Sequence, residues 1–435
     1  MNNETKCSGI IVGDIMIQRQ LHSRFDFSEV MTGEGAKDFI IGNFETTVKS
    51  DQAYANLFPG GGYASVPASA VADLKRIGFN GLNIANNHTM DFAEEGLKST
   101  MTALAANMIP FCGAGGNLAE AARPCYIEAP DCRLGMVGIT SSFHDSYAAG
   151  PQNMEFRGRP GINPLKHKAI YTLPESDFSH LLRIGENMGV NSYHNQARKE
   201  GYITESDYDV FGSFNIKKGS SFSVETHPDK VDLNRLLSSV RDCSRQADIT
   251  VVNIHSHQFK AGDKDCTPDF IEGTSRKCIE AGATFVICTG PHVIRAIERY
   301  LDGAIFYGLG NFIFQHEQMA SLPEEFYNKY GTSRTLCDGV SEVMSIRSDG
   351  GKKGLFTQPK VWESFIIDFS CTQKKISVDL HPIEIISDNC QAHRGLPKHS
   401  TNKDILQRLK KLSQEYNTDI IIDDNNIGHL EWTIS

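Results

Sequence analysis

Five short groups of residues that commonly bind metals stand out in the sequence, because each one directly follows an apolar run. In chain order they are Gly13-Asp14, Gly42-Asn43-Phe44-Glu45, Asn86-Asn87-His88, His255-Ser256-His257 and Gly290-Pro291-His292. Carboxylates, amide oxygens and imidazoles form a mixed donor set that suits manganese, iron, zinc or magnesium better than a structural thiolate zinc site does. We therefore predict one or two divalent metal ions, with these candidate ligands: Asp14, Asn43, Glu45, Asn87, His255, His257 and His292.

Each group taken alone also has an ordinary structural interpretation. Gly-Asp after a strand commonly forms a turn or a helix cap, and Asn-Asn-His commonly forms a turn that carries a surface histidine. The spacing of His255 and His257 directs both imidazoles to one face of an extended segment, which suits a single cation. Five such groups at equivalent strand ends are improbable by chance, so their conjunction favours a metal site.

The runs before these groups are short, apolar and rich in β-branched residues, which is typical of buried strands. Strands are predicted at 10–12, 39–41, 81–85, 134–139, 249–254, 284–288 and 304–307. Helical spacing of apolar residues predicts helices at 68–76, 94–106 and 268–281. Alternating strands and helices predict an α/β fold, in which sites form at the carboxyl ends of the strands.

One polar segment separates the two halves of this pattern. Residues 144–245 contain many glycines and prolines and are predicted to be irregular around a helix at 176–188, as an insertion that covers the site. We predict a core domain at 8–392 that this insertion interrupts. A C-terminal extension at 393–435 is predicted to pack on the core with a helix at 403–416.

Composition narrows the class of protein. The chain has 435 residues, is 40% hydrophobic and carries a formal net charge of -10, which disfavours a nucleic-acid partner. The N-terminus is polar and no apolar run approaches the roughly 20 residues of a membrane helix, so we predict no membrane partner. Eleven scattered cysteines fit free thiols in a reducing compartment. We therefore predict a cytoplasmic protein.

The motifs, taken together, resemble those of the CapA poly-gamma-glutamate capsule-synthesis family, a branch of the calcineurin-like metallophosphoesterase superfamily. The likeness covers about residues 8 to 315, with order, spacing and flanking strands in agreement. Besides the five groups above, it rests on residues 78–91, 113–115 and 307–312. The segments 158–164 and 394–397 further resemble one bacterial and fungal subgroup.

This resemblance implies a four-layer αββα sandwich, in which two mixed sheets pack face to face between helices and the site lies at one edge. It also implies that Asp14 holds one metal together with His257 or His292, and that Asn87 and His255 hold the second. Glu45, or alternatively Asn43, would bridge the two metals. His88 matches the superfamily histidine that stabilises the transition state or protonates the leaving group. The same family would make a small molecule or a γ-glutamyl compound the partner.

The sequence departs from the family pattern just before Gly290. Related sequences carry Gly-His there, whereas this chain has Cys288 and Thr289. Threonine is a poor metal ligand, so the second metal is expected to be weaker, to be held through Cys288 or water, or to be missing.

Four further residues are candidates for supporting roles. Arg159 and Arg394 are candidate substrate-binding residues because a guanidinium binds a carboxylate through two hydrogen bonds, although a surface arginine is the alternative. Asn311 either contacts substrate or satisfies backbone groups in a loop. Glu363 is a candidate for orienting one of the histidines.

The predicted function is that of a metal-dependent hydrolase or related transferase. Its substrate would be a small anionic compound, a γ-glutamyl amide or a phosphoester, attacked by metal-activated water with His88 as the acid. Three alternatives remain open. They are a non-catalytic accessory protein of poly-gamma-glutamate synthesis or export, a degenerate metal site that only binds ligand, and a plain metallophosphatase. The sequence leaves the oligomeric state open.

Overall fold

The structure is a computed structural model that describes residues 6–21, 25–31, 36–204, 208–388 and 390–433. The first five residues of the polar N-terminus lie outside this part of the chain. The largest sheet contains ten strands. Eight of them form one path, in the order Ile421–Ile422, Gly428–Thr433, Lys375–Ile385, Glu363–Cys371, Cys7–Met16, Phe39–Phe44, Gly81–Asn83 and Phe111–Cys112. Asn311–Phe314 pairs with the end of Cys7–Met16, and Pro397–His399 pairs with Lys375–Ile385.

A second sheet has six strands. Their order is Ile297–Tyr300, Gly303–Phe306, Phe285–Thr289, Ile249–His255, Arg133–Thr140 and Cys125–Glu128. A third sheet, of four strands, has the order Asp209–Phe211, Phe214–Gly219, His167–Pro174 and Ser223–Pro228. Two short pairs complete the strands, Thr47–Val48 with Ser65–Val66 and Ala114–Gly115 with Gly161–Ile162.

Ten α-helices are described in this part of the chain, and most of them follow a strand. They are Ser69–Ile77, Ala93–Ala106, Leu118–Ala122, Glu175–Asn187, Ser192–Lys199, Lys230–Ser244, Asp269–Glu280, Glu324–Lys329, Val340–Arg347 and Lys403–Gln414. None of the helices in the described ranges combines the length and the apolar character needed to cross a membrane.

The two largest sheets share a buried core. Ile11 and Ile41 from the ten-stranded sheet belong to the same apolar cluster as Met136 and Ile287 from the six-stranded sheet. Successive residues of a strand point to opposite faces, so Ile10 belongs to a different cluster from Ile11. The inner faces of these two sheets therefore pack against each other.

Helices cover the outer faces of both sheets. Ser69–Ile77 and Ala93–Ala106 contribute Leu74 and Leu104 to the cluster that contains Ile10. Lys230–Ser244 and Asp269–Glu280 pack in the same way on the six-stranded sheet, in a cluster that contains Val252 and Ile254. The predicted α/β class is confirmed.

The polar segment between the two halves differs from its prediction. It is predicted to be irregular, but it forms the four-stranded sheet as well as the predicted helix, here Glu175–Asn187. Strands such as Phe214–Gly219 are half-exposed and carry adjacent lysines, which hides their alternation in the sequence. The boundaries 144–245 stay a prediction.

The contacts of the four-stranded sheet lead to an outer helix. His167 stacks on Phe270 of Asp269–Glu280 with ring centroids 4.3 Å apart, and the Phe270 amide donates to Thr226 Oγ1 at 3.2 Å. A cavity of about 450 Å³ lies on this sheet, beside Phe214 and Phe222. These contacts place the sheet against the helix Asp269–Glu280. That the insertion covers the site stays a prediction.

Candidate metal centre

Parallel strands bring the predicted ligands to one edge of the fold. Asp14 and Asn43 are register partners on Cys7–Met16 and Phe39–Phe44, and Asn43 is in turn the partner of Asn83. On the other sheet His255 ends its strand opposite Thr289. Since both sheets end at this edge, their polar side chains converge in one buried cluster.

Glu45 lies at the centre of the cluster. Its side chain is fully buried, and neither carboxylate oxygen has a hydrogen-bond partner among the described residues. Oε1 lies 3.6 Å from His255 Nε2, 3.7 Å from His257 Nε2 and 3.8 Å from His292 Nε2. A buried carboxylate without donors is costly, and a cation between these atoms would satisfy it. The residues present therefore fit a metal ion.

Two overlapping groups of side chains could each hold a cation. One is Glu45 with His255 and His257, and the other is Asp14 with Glu45 and His292. Within each group the candidate ligand atoms all lie within 4.8 Å of one another. Glu45 belongs to both groups, so its carboxylate could contribute a ligand atom to each of two ions.

Asp14 is held in place by two donors. The Gly290 amide donates to its Oδ2 at 3.0 Å, and the Asn43 side-chain amide donates to its Oδ1 at 2.8 Å. Burial and the nearby Glu45 carboxylate raise the pKa of Asp14 well above its usual value. A bound cation would oppose both effects and favour the ionised form.

The three imidazoles of the centre are held in the neutral form, in which a ring nitrogen has a free lone pair. Burial lowers the pKa of His257 to about 3 and that of His292 to about 4, and burial with the neighbouring histidines holds the pKa of His255 well below its usual value. The three rings are therefore neutral near pH 7, as metal coordination requires.

Asn87 adds an amide oxygen to the group of Glu45, His255 and His257. Asn87 Oδ1 lies 2.8 Å from His255 Nε2 and 3.1 Å from His257 Nε2, and its Nδ2 donates to the Gly60 carbonyl at 2.7 Å. This last bond directs the amide oxygen of Asn87 toward the two histidines. The oxygen is thus placed as a further ligand for the same ion.

Asn43 is a less suitable bridging residue than Glu45. Its Oδ1 accepts hydrogen bonds from the amides of Asn83 at 2.8 Å and Asn86 at 3.3 Å, while its Nδ2 donates to Asp14. With both ends engaged, Asn43 orients Asp14. Of the two alternatives that the family pattern leaves open, the geometry favours Glu45.

Thr289 takes up a role as a hydrogen-bond partner. Its Oγ1 lies 3.0 Å from His255 Nδ1, which leaves His255 Nε2 facing Glu45 and Asn87. The alternative that Cys288 replaces the missing histidine is wrong. The Cys288 thiol lies on the opposite face of the strand, 3.9 Å from Ser275 Oγ in the outer helix layer.

His292 depends on an unusual backbone. Its φ of 58° lies in the left-handed region, and a side chain at Gly290 would come within 2.9 Å of the Ser256 backbone. Asn311 Oδ1 lies 2.8 Å from His292 Nδ1, and Asn311 Nδ2 donates to the Val361 carbonyl at 2.9 Å. Asn311 is buried and bonded at both ends, so its contacts are those of a residue that positions His292.

His88 forms a pair with Asp91, which lies three residues further along the chain. Its Nδ1 lies 2.6 Å from Asp91 Oδ2, and the Asp91 carboxylate also accepts from the amides of Gly60 and Ala64 at 2.7 and 2.8 Å. Burial opposes protonation of His88, but Asp91 outweighs it, so the pKa of His88 is raised. The three-residue spacing of His88 and Asp91 is the signal that could have identified this pair.

The three other candidates are Arg159, Arg394 and Glu363, and the described contacts of their side chains are with residues other than the candidate ligands. Arg159 donates through Nε and Nη2 to the Ala148 carbonyl at 3.1 and 2.9 Å. Arg394 lies over the ring of Trp362, 5.9 Å from its centroid. Glu363 pairs with Arg408, so the prediction that it orients a histidine is wrong.

An α/β fold with carboxylates and imidazoles clustered at its strand ends defines a protein with a buried candidate metal centre. The sequence profile of the family described as "Bacterial capsule synthesis protein PGA_cap" matches residues 9–316, a range that contains all seven candidate ligands. The chain belongs to this family, which confirms the predicted resemblance.

Similar proteins include both uncharacterised and named ones. An uncharacterised protein of Sinorhizobium fredii is 26% identical over 431 residues, which cover 95% of this chain and 91% of that protein. The capsule biosynthesis protein CapA of Bacillus anthracis is 24% identical over 71% of this chain and 60% of its own length. A probable polyglutamine synthesis accessory protein of Mycobacterium tuberculosis is 33% identical over 29% of this chain and 32% of its own length.

Proposed function

We propose that this protein is a cytoplasmic metal-dependent hydrolase, or a related transferase, that acts on a small anionic, γ-glutamyl or phosphoester substrate. The observation that carries the proposal is Glu45, a buried carboxylate with no hydrogen-bond donor and three neutral imidazoles around it. We also propose that the two packed sheets and their helices form the four-layer sandwich of the calcineurin-like superfamily. The three core clusters support that arrangement.

The metal-binding residues of this proposal come from both sheets. Asp14, Glu45 and His292 would hold one cation, and Glu45, Asn87, His255 and His257 would hold the other. Bound there, divalent cations lower the pKa of a water molecule and polarise the oxygens of an ester, amide or phosphate.

His88 would move the proton. Asp91 engages its Nδ1, which leaves Nε2 as the nitrogen that exchanges a proton with a leaving group. Two backbone amides fix Asp91 in turn, so the imidazole is oriented before any substrate arrives. A proton held at Nε2 is what departure of an alkoxide or amine requires.

Metal analysis tests the proposal directly. Purified protein is expected to contain a divalent metal, or to bind added manganese or zinc with an increase in melting temperature. A panel of phosphomonoesters, phosphodiesters and γ-glutamyl amides then identifies the reaction class. If the protein neither contains nor binds a metal, the proposal fails.

A second candidate, a degenerate site with an accessory role, rests on Thr289. This residue stands where the family resemblance implies a histidine, and its hydroxyl bonds to His255. The mycobacterial relative is named a probable polyglutamine synthesis accessory protein, which is consistent with such a role. Thr289→His separates the two candidates, because a gain in metal content together with new turnover would indicate degeneration. No gain would indicate a centre that is complete with threonine.

A further inference from the structure

The centre is open on the side of His257. About 34% of the His257 side chain is exposed, whereas the side chains of Asp14, Glu45 and His255 are fully buried and that of His292 is 5% exposed. His257 is therefore the most exposed of these five side chains. A charged group beside this histidine would attract or repel a charged substrate that approaches it.

The loop that follows His257 is clamped by a buried arginine. Arg295 is only 1% exposed, and it donates to the Gln258 carbonyl at 3.0 Å and to the Lys264 carbonyl at 2.6 Å. These carbonyls lie at the two ends of the loop 258–264. Within the described ranges no carboxylate lies within 4.0 Å of the guanidinium. Arg295 thus fixes the loop through two backbone carbonyls.

Lys264 lies where two segments of the centre meet. Its Nζ donates to Gln358 Oε1 at 3.2 Å. Gln358 begins the turn that ends at Val361, whose carbonyl accepts from Asn311, the residue bonded to His292. The ammonium group is therefore placed between the segment that carries His257 and the segment that supports His292.

Lys264 differs from two neighbouring lysines in that no carboxylate of the described residues lies within 4.0 Å of its ammonium group. Lys260, on the same loop, pairs with Asp269, and Lys360 pairs with Asp265. Lys264 is half-buried and donates to the neutral side-chain amide of Gln358. Burial and the charge of Arg295 lower its pKa, and no carboxylate offsets them.

A negatively charged group at the open side of the centre could form a charge-assisted hydrogen bond with Lys264. Such a bond would compensate the partly desolvated ammonium group, so this side of the centre favours an anion.

We propose that Lys264 forms a subsite for a carboxylate or phosphate group of the substrate at the open side of the metal centre, with Arg295 as the residue that positions it. The inference rests on the proposed function, because it assigns the subsite to the substrate of the same centre. It identifies the substrate as an anion that is held beside the reacting bond.

The test compares Lys264→Met with Lys260→Met, a matched control on the same loop. Binding of inorganic phosphate and of L-glutamate is measured by calorimetry on protein saturated with manganese, and metal content is measured separately. Lys264→Met is expected to keep the metal and to bind the preferred anion about tenfold more weakly, the loss of one charge-assisted hydrogen bond. Lys260→Met is expected to bind like the wild type, and Lys264→Arg to retain part of the affinity.

Each outcome addresses one proposal. Preference for phosphate indicates a phosphoryl substrate, and preference for glutamate indicates a carboxylate. Equal affinity in Lys264→Met and wild type, or no binding of either anion by the wild type, overturns the subsite. Failure to bind manganese overturns the proposed function instead, and the anion titrations on the metal-free protein then still decide whether Lys264 binds an anion.

Discussion

At the scale of single residues, the main feature of the centre is that the Glu45 carboxylate has no hydrogen-bond donor among the described residues. Folding places this carboxylate out of water without a donor, among imidazoles that are neutral. Such a group destabilises the metal-free protein unless it is protonated, because burial raises its pKa. For the ionised carboxylate a bound cation would offset this cost, so metal binding and stability are coupled at this residue.

Glu45→Gln tests this coupling. The variant is expected to lose most of its metal affinity, and its metal-free form should be more stable than metal-free wild type by about 1–3 kcal/mol, the usual cost of an unsatisfied buried group. Urea unfolding with and without manganese measures both effects. Glu94→Gln, on an exposed helix position, is the control. A variant that manganese stabilises as much as wild type would contradict the assignment.

His88→Asn tests the proton-transfer role separately from metal binding. The variant should retain its metal content, since His88 bonds to Asp91 and not to the candidate ligands. Turnover of whichever substrate the wild type hydrolyses should fall by about 10²- to 10⁴-fold, the usual contribution of a general acid. Unchanged turnover at full metal occupancy would exclude the role.

At this scale, sequence patterns identified most residues of the centre but not the hydrogen bonds between them. Asp14, Glu45, His255 and His292 were recognisable as ligand types after strands, and the structure brings them together. That Asn43 orients Asp14, that Asn311 holds His292 and that Asp91 holds His88 depends on side-chain directions, which residue type and spacing do not encode.

At the scale of elements, loops between strands orient the ligands. The loop 56–63 is one of them, because the Gly60 carbonyl accepts from Asn87 and the Gly60 amide donates to Asp91. A Cβ atom at Gly60 would lie 2.2 Å from the Asn87 carbonyl oxygen, so this close approach requires glycine. The loop therefore links the metal ligand Asn87 to the pair of His88 and Asp91.

Gly60→Ala should displace this loop and weaken both groups of residues at once. We expect a loss of stability of about 1–3 kcal/mol and weaker metal binding, measured by thermal unfolding and metal titration. Gly62→Ala is the matched control, because a Cβ there meets nothing within 4 Å and the backbone is not left-handed. Equal behaviour of the two variants would show that the close approach at Gly60 does not matter.

Element prediction succeeded for the helices and failed for the half-exposed strands of the four-stranded sheet. The helices predicted at 68–76, 94–106 and 268–281 appear as Ser69–Ile77, Ala93–Ala106 and Asp269–Glu280. The four-stranded sheet was missed because its strands carry polar residues on one face and have little core to reveal them. Its position against Asp269–Glu280 is a tertiary contact that local pattern does not contain.

At the scale of the whole molecule, the C-terminal residues are joined to the core by strand pairing. Gly428–Thr433 pairs with Lys375–Ile385 in the ten-stranded sheet. The helix Lys403–Gln414 contributes Ile405, Leu406 and Leu409 to the cluster shared by the two large sheets. These contacts predict that the C-terminal segment unfolds together with the core.

Leu406→Ala tests this integration. A fully buried leucine replaced by alanine should lower the free energy of unfolding by about 2–5 kcal/mol. Urea unfolding followed by fluorescence and by circular dichroism should show one transition, shifted to lower denaturant. Lys411→Ala, at an exposed position of the same helix, should change little. A separate early transition in Leu406→Ala would show that the segment unfolds independently.

The sequence by itself determined the α/β class, the family and the residue types of the centre, because apolar periodicity and ligand-type groups after strands are local properties. Tertiary structure decided that Glu45 belongs to both groups of ligands and that Cys288 points away from them. It also decided that Lys264 has no carboxylate within 4.0 Å among the described residues. These features depend on how two sheets pack at one edge and on which side chains burial leaves unpaired. Contacts between residues that are far apart in the chain form only when the two sheets pack together.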